Sequence, residues 1–245
     1  HEINPNNKYY CWCHDHYSNK YQSTNKPSMI NEYFSKNNIQ VICISKFQKR
    51  IYRAKLPRVT IHLIYNAIFK EYYPKLSNIN YNKDVMLFAS NWEKKLDVVL
   101  RGCRNYHNKN PNFRVYLLKP AYVKDDGDDW KRRFPFIEIK GCVKDKTEYS
   151  KLIQGCLGVF GTHFPETFGC VFAEALHLGV PVIGDNSIET GYKEFIPSNL
   201  LCNFNNAHKI AAKIEEIYNN RPNVKLDDKF YADQVIQEWM KLLKQ

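Results

Sequence analysis

Thr162-His163-Phe164-Pro165-Glu166-Thr167-Phe168-Gly169-Cys170-Val171-Phe172-Ala173-Glu174-Ala175-Leu176-His177-Leu178-Gly179-Val180-Pro181-Val182-Ile183-Gly184-Asp185-Asn186 is the segment around which the rest of the chain is organised.

 The register matters because it puts Gly169, with no side chain, at the start of a helix. The apolar run 157–160 before it reads as a buried parallel strand, 168–178 as a helix, and 180–184 after the stop at Gly179 as the next buried strand. In this strand, loop, helix, strand order, Gly169 falls in the first helical turn. There a ligand can approach free backbone N–H groups and the positive end of the helix dipole, a place suited to phosphate. Glu166 precedes the helix and Glu174 lies inside it, so at about 1.5 Å rise per residue their carboxylates are roughly 9 Å or more apart along the axis. Two acceptors flanking one anion site suit a ligand with hydroxyls at both ends and phosphates between them.

Working outward, the flanking chain alternates strand and helix. Beyond residue 83 the expected strands are 84–89, 113–118, 136–139, 157–160, 182–183 and 199–201. The expected helices are 94–107, 147–154, the central helix and 207–218. Six short strands separated by helices predict an α/β fold with a doubly wound parallel sheet. The acidic stretch 124–129 reads as an exposed, solvated insertion. The segment 227–243 is amphipathic, with Phe230, Val235, Trp239 and Leu242 apolar.

Toward the amino end, 8–13 reads as a strand delivering His14-Asp15-His16 at its carboxyl edge, where open α/β sheets bind ligands. A helix at 27–36, a strand at 39–44, a helix at 46–54 capped by Ser45 and a strand at 59–64 follow. These resemble the last part of a Rossmann-like domain whose earlier strands are absent. The expected organisation is a partial N-terminal domain over 1–65, a polar linker over 66–82, a complete Rossmann-like domain over 83–226, and a C-terminal helix, 227–245, packing back across both. Cys11, Cys13, His14 and His16 invite a zinc reading, but alternate strand residues point to opposite faces and the spacing fits no closed structural site. No metal is assigned.

Pro165-Glu166-Thr167-Phe168-Gly169 through Glu174-Ala175, then Gly179-Val180-Pro181-Val182-Ile183, resembles the donor-binding signature of retaining glycosyltransferases with the GT-B fold. That large family includes sucrose synthases and bacterial mannosyl- and glucosyltransferases. The resemblance covers nearly the whole chain and is most specific between Thr162 and Ile183. It implies transfer of a hexose from a nucleoside-diphosphate sugar, with retention, without a metal ion or other cofactor, to a glycan, glycoprotein or glycolipid acceptor. It places Lys94 and the helix start at Phe168 on the diphosphate, Glu174 on the ribose, and Glu166 with the backbone of Phe168, Gly169 and Cys170 on the sugar. A histidine at the end of the first strand, His14 or His16, would sit beside the reacting carbon, with Asp15 able to orient either.

In the same family the loop corresponding to 88–97 carries Gly-Arg and then Lys-Gly, two cations for the diphosphate. Here Lys94 matches the lysine, Lys95 stands where the glycine would be, and Ser90 or Asn91 replaces the arginine, which makes Lys95 the candidate substitute cation. Lys140-Gly141-Cys142-Val143 matches the base-binding loop, where backbone groups hold the base. Thr190-Gly191 matches in part a glycine-rich loop facing the diphosphate from the other side. The short first domain, which normally holds the acceptor, keeps a second reading open: a fragment or donor-binding module without transfer activity.

The net charge of +11 implies anionic company, whether nucleotide phosphates, an acidic glycan, a membrane surface met peripherally, or nucleic acid. The lysines fall in both halves and no zinc-finger or RRM signature occurs, so nucleic acid is set aside. No apolar run reaches the roughly 20 residues of a membrane span, and the first residues do not read as a signal peptide, so a soluble cytoplasmic chain is expected. The eight cysteines are scattered without a C-x-x-C pair, read as small buried hydrophobes, and imply no disulfide framework. Abundant Asn, Lys, Tyr and Ile, the residues of A+T-rich codons, point to the genome of a virus or parasite.

Overall fold

A computed structural model describes residues 4, 7–14, 27–119 and 127–244. His16 and Asp15 lie outside the described residues, as does the first half, 124–126, of the acidic stretch expected at 124–129. The described residues form two parallel sheets. The smaller holds β1 (Tyr9–Cys13), β2 (Ile39–Cys43) and β3 (Ile61–Leu63) in that order, with Cys13 beside Cys43 and Cys43 beside Leu63. Helices α1 (Pro27–Lys36) and α2 (Lys46–Lys55) cover one face, where Val41, Cys43, Tyr52, Leu56 and Ile61 pack with Ile30 and Phe34. Ser45 caps α2 as expected, accepting from the Gln48 N–H at 3.0 Å.

The larger sheet is built from β4 (Asn82–Phe88), β5 (Arg114–Leu118), β6 (Ile137–Lys140), β7 (Cys156–Phe160), β8 (Val182–Asp185) and β9 (Leu201–Cys202), in the order β6-β5-β4-β7-β8-β9 and parallel throughout. Its helices are α3 (Leu96–His107), α4 (Asp128–Arg133), α5 (Lys146–Gln154), α6 (Cys170–His177) and α7 (Ala207–Asn219). The chain moves outward from β4 through β5 to β6, then returns to the other side of β4 at β7. Beyond the carboxyl ends of β4 and β7 the sheet therefore has its topological switch point, where open α/β sheets bind ligands. Met86, Leu87, Phe88, Leu157, Val159 and Phe160 are fully buried, as expected for central strands covered on both faces.

Several boundaries differ from the sequence expectation. The central helix begins at Cys170, because Gly169 at φ 85° is its N-cap and not part of its first turn. The helix expected from Lys94 begins at Leu96, after Lys95 in the left-handed region. Asp128 and Asp129 open the short helix α4, where they complement its positive end, so this part of the acidic stretch is not loop. Cys142 and Cys170 are exposed, unlike the buried Cys43, Cys103, Cys156 and Cys202, since both lie at loop and helix starts on the ligand edge.

The polar connection between the sheets is pinned along its length. Ile68 forms a bridge with Tyr231, its N–H donating to the Phe230 carbonyl at 2.9 Å, and His177 touches the Tyr73 carbonyl at 3.0 Å and the Tyr231 hydroxyl at 3.1 Å. Backbone bonds of this kind need no side-chain periodicity, which is why the sequence read as featureless there. The last helix, α8 (Ala232–Leu243), lays Val235 and Leu242 on Ile42 and Ile64 at the other face of the small sheet, with Trp239 against Trp12. The sheets also meet through Glu194, which accepts from the Phe47 N–H and the Tyr65 hydroxyl, each at 3.0 Å.

Candidate functional site

Two loops cross the switch point. The first leaves β4 at Ala89 and turns through Asn91, whose side-chain oxygen accepts from the Glu93 N–H at 3.0 Å, a local turn that Asn favours. Trp92 is buried and Lys95 sits at φ 63°, so the chain enters α3 with Lys94 turned inward and Lys95 exposed. The Lys94 ammonium pairs with the Glu166 carboxylate across the switch point, both side chains largely buried.

Glu166 belongs to the second loop, 161–169, which is braced from several sides. The Gly191 N–H donates to the Glu166 carbonyl at 2.7 Å, the Tyr192 hydroxyl to the Thr162 carbonyl at 2.8 Å, and the Thr167 hydroxyl to the His14 carbonyl at 2.6 Å. His163 meets the fully buried Asp185 at 2.5 Å. The Thr167 bond brings the carboxyl end of β1 to the signature loop, and the Trp12 ring lies 4.4 Å from that of His14. Gly169 admits no side chain: a Cβ would come within 2.5 Å of Phe172, and φ 85° is in the left-handed region. Its geometry opens α6 with the first N–H groups outside the intrahelical ladder. Phe168 is buried among Tyr65, Phe195 and Phe230, so only its backbone is available to a ligand. Cys170 is exposed beside it.

A cavity of about 280 Å³ opens where these loops meet the ends of β5 and β6. Its lining includes five residues expected from sequence, Ser90, Asn91, Lys94, Cys142 and Val143, and two that were missed, Lys119 and Tyr149. Lys119, directly after β5, and not Lys95, is the second cation in that lining. A larger cavity of about 740 Å³ lies along α5 on the far side of Cys142 and Val143, lined also by Tyr116 and Lys140 and reached by neither Lys94 nor Glu166.

Glu174 stands behind the smaller cavity. Its carboxylate accepts from the Tyr73 hydroxyl at 2.6 Å and the Tyr149 hydroxyl at 2.7 Å, and Tyr73 in turn accepts from Lys146 at 3.1 Å. Burial, together with Glu174, pushes both phenols well above their usual range and keeps them protonated as donors. Of this group it is Tyr149 that lines the cavity. Thr190 is buried, and the Gly191 N–H is committed to Glu166 while a Cβ at Gly191 would meet the Thr167 carbonyl at 1.9 Å, so Gly191 braces the Glu166 loop. Among the described residues no group of three His, Cys, Asp or Glu side chains is placed to hold a metal ion.

The same arrangement of sheets recurs in solved structures. TarM, of which a variant from S. aureus is also solved, aligns over 98% of this chain with a TM-score of 0.76 at 19% identity. Sucrose-phosphate synthase from Thermosynechococcus elongatus aligns over 97% with a TM-score of 0.73 at 14% identity. This chain has the GT-B fold. A third GT-B structure, Anabaena HepE in complex with UDP-glucose, aligns over 97% of the chain with a TM-score of 0.70 at 16% identity. The chain spans 51% of the TarM chain, 67% of the synthase and 72% of HepE. No protein-family model matches the sequence, and no curated protein is similar enough to count as a relative.

Proposed function

We propose that this chain binds a nucleoside-diphosphate sugar at the switch point and transfers its hexose, with retention, to a glycan acceptor that is free or carried on protein or lipid. The observation that carries this reading is the 280 Å³ cavity, whose lining gathers Ser90, Asn91 and Lys94, Lys119, and Cys142 and Val143 from three separate loops beside the Gly169 helix start. The solved complex of HepE with UDP-glucose supports the class of donor.

In this reading the base lies against Cys142 and Val143, and the Tyr149 hydroxyl, held by Glu174, meets the ribose. The diphosphate shares Lys94 with Glu166 and takes its remaining stabilisation from Lys119 and the start of α6. Negative charge grows on the diphosphate as the glycosidic bond breaks, so cations fixed there stabilise the transition state more than the bound donor. The departing phosphate oxygen takes the acceptor proton, so this step needs no dedicated protein base. Glu166 and the backbone at Phe168, Gly169 and Cys170 hold the sugar, beside His14.

The test is to incubate the chain with a panel of nucleoside-diphosphate sugars and follow nucleotide release with and without glycan acceptors, fixing the anomeric configuration of any product by NMR. Nucleotide release with a retained anomer is the expected result. Tight nucleotide binding without release from any donor would establish the donor-binding module in its place.

A further inference from the structure

Between Glu32 and Glu71 the chain has no acidic residue but eight Lys and Arg: Lys36, Lys46, Lys49, Arg50, Arg53, Lys55, Arg58 and Lys70. The fold gathers the middle of this run on helix α2. Phe47, Gln48 and Tyr52 turn inward, while Lys46, Arg50, Arg53 and Lys55 are exposed, with Arg58 exposed just beyond the helix. Arg50 pairs with Glu189 at 2.8 Å, whereas Lys46, Arg53 and Lys55 form no ion pair among the described residues. Burial first, and Arg53 beside it second, hold the Lys49 ammonium below its ordinary range. Lys46, Arg50 and Arg53, spaced i, i+4 and i+7, share one face about 10 Å long, and Lys55 adds a cation on the other side of the last turn.

Its position is as telling as its charge. The helix starts at Ser45, against which a Cβ at Gly191 would lie 3.0 Å away, and Gly191 holds the Glu166 loop. The cationic face therefore leads directly to the edge of the candidate site. Resting on the glycosyl-transfer reading above, we propose that α2 docks a polyanionic acceptor, a carbohydrate polymer bearing sulfate or phosphate, and feeds it toward the switch point.

The chemistry of the surface favours this partner over two others. A helix lying in a membrane interface needs exposed Leu, Phe or Trp to insert, and the apolar side chains Phe47, Tyr52 and Leu56 are all buried. Single-stranded nucleic acid is held by stacking on exposed aromatic rings, and none is exposed between Lys46 and Arg58. What remains is charge alone, which suits a polymer of regularly spaced anions.

The experiment compares wild type with the triple variant K46E/R53E/K55E in calorimetric titrations against a sulfated heparin oligosaccharide, its desulfated form, polyphosphate, phosphatidylglycerol vesicles and single-stranded DNA. UDP-glucose is titrated into both proteins in parallel. Wild type should bind the sulfated oligosaccharide, polyphosphate binding should mark phosphate as an equal source of charge, and the affinity should fall as salt screens the exposed cations. Desulfation and the triple variant should each weaken binding by roughly tenfold or more, with the UDP-glucose response unchanged. Equal binding by the triple variant, or tighter binding of vesicles or DNA than of the sulfated chain, overturns the proposal. A protein that binds the sulfated chain through these cations but ignores every nucleotide sugar would sink the transfer reading and leave the docking surface standing.

Discussion

Lys94, Lys119 and Lys95 differ in what their surroundings let them do. Lys94 and Lys119 line one cavity, and Lys95 is exposed at φ 63°. Lys94→Ala should lower turnover by roughly 10²–10³, the effect typical of removing one charge-stabilising donor, with less change in donor affinity. Lys119→Ala should impair turnover and Lys95→Ala should not; steady-state kinetics of the three variants decides whether the missing arginine is replaced from β5 or from the next residue in the loop. Lys95 carries a separate signature, because a left-handed conformation costs a residue with a Cβ roughly 1–2 kcal/mol that glycine avoids. Lys95→Gly should therefore raise unfolding stability in urea by about 1 kcal/mol, and equal or lower stability would show that the lysine side chain offsets the strain. Tyr149→Phe should weaken nucleotide binding about three- to tenfold, the loss expected of one hydrogen bond. Glu174→Ala should weaken binding and also cost stability, since it strands two buried phenol donors.

At the scale of elements, much of the site was legible where one short segment carries the chemistry. Glu166, Gly169 and Glu174 announce themselves because a strand, an anion-ready turn and a helix follow one another within about twenty-five residues. The alternation of strands and helices gave six strands in the large sheet for the same reason. Lys119, Tyr73 and Tyr149 were not legible, because each comes from a different part of the chain and only the fold brings Lys119 and Tyr149 to one cavity and Tyr73 to Glu174 behind it. Glu174 showed the limit of reading spacing alone: its position was visible, but the two tyrosines that hold its carboxylate, one of them facing the cavity, were not. Gly191 is a further case, as nothing in sequence tells that it packs on the Thr167 carbonyl. Gly191→Ala should destabilise the chain by about 1–3 kcal/mol, the usual cost of overpacking, and displace the Glu166 loop. A thermal scan showing an unchanged Tm would mean that the loop yields without strain.

For the molecule as a whole, the connection between the sheets and the last helix act as straps, tying Tyr73, His177 and Tyr231 into one network. Tyr73 and Tyr149 have pKa values raised above the unfolded value of about 10, so their contribution to stability is fully present below pH 10 and is lost as pH rises toward the folded values. The Tm should hold below pH 10 and fall above it, and Y73F/Y149F should flatten that fall. The measurement that tests the central claim most directly is a crystal structure of the chain with UDP-glucose bound. The account predicts the base against Cys142 and Val143, and the diphosphate between Lys94 and the Gly169 start of α6. A nucleotide lodged in the 740 Å³ cavity along α5, or anywhere away from Lys94 and Glu166, would contradict it.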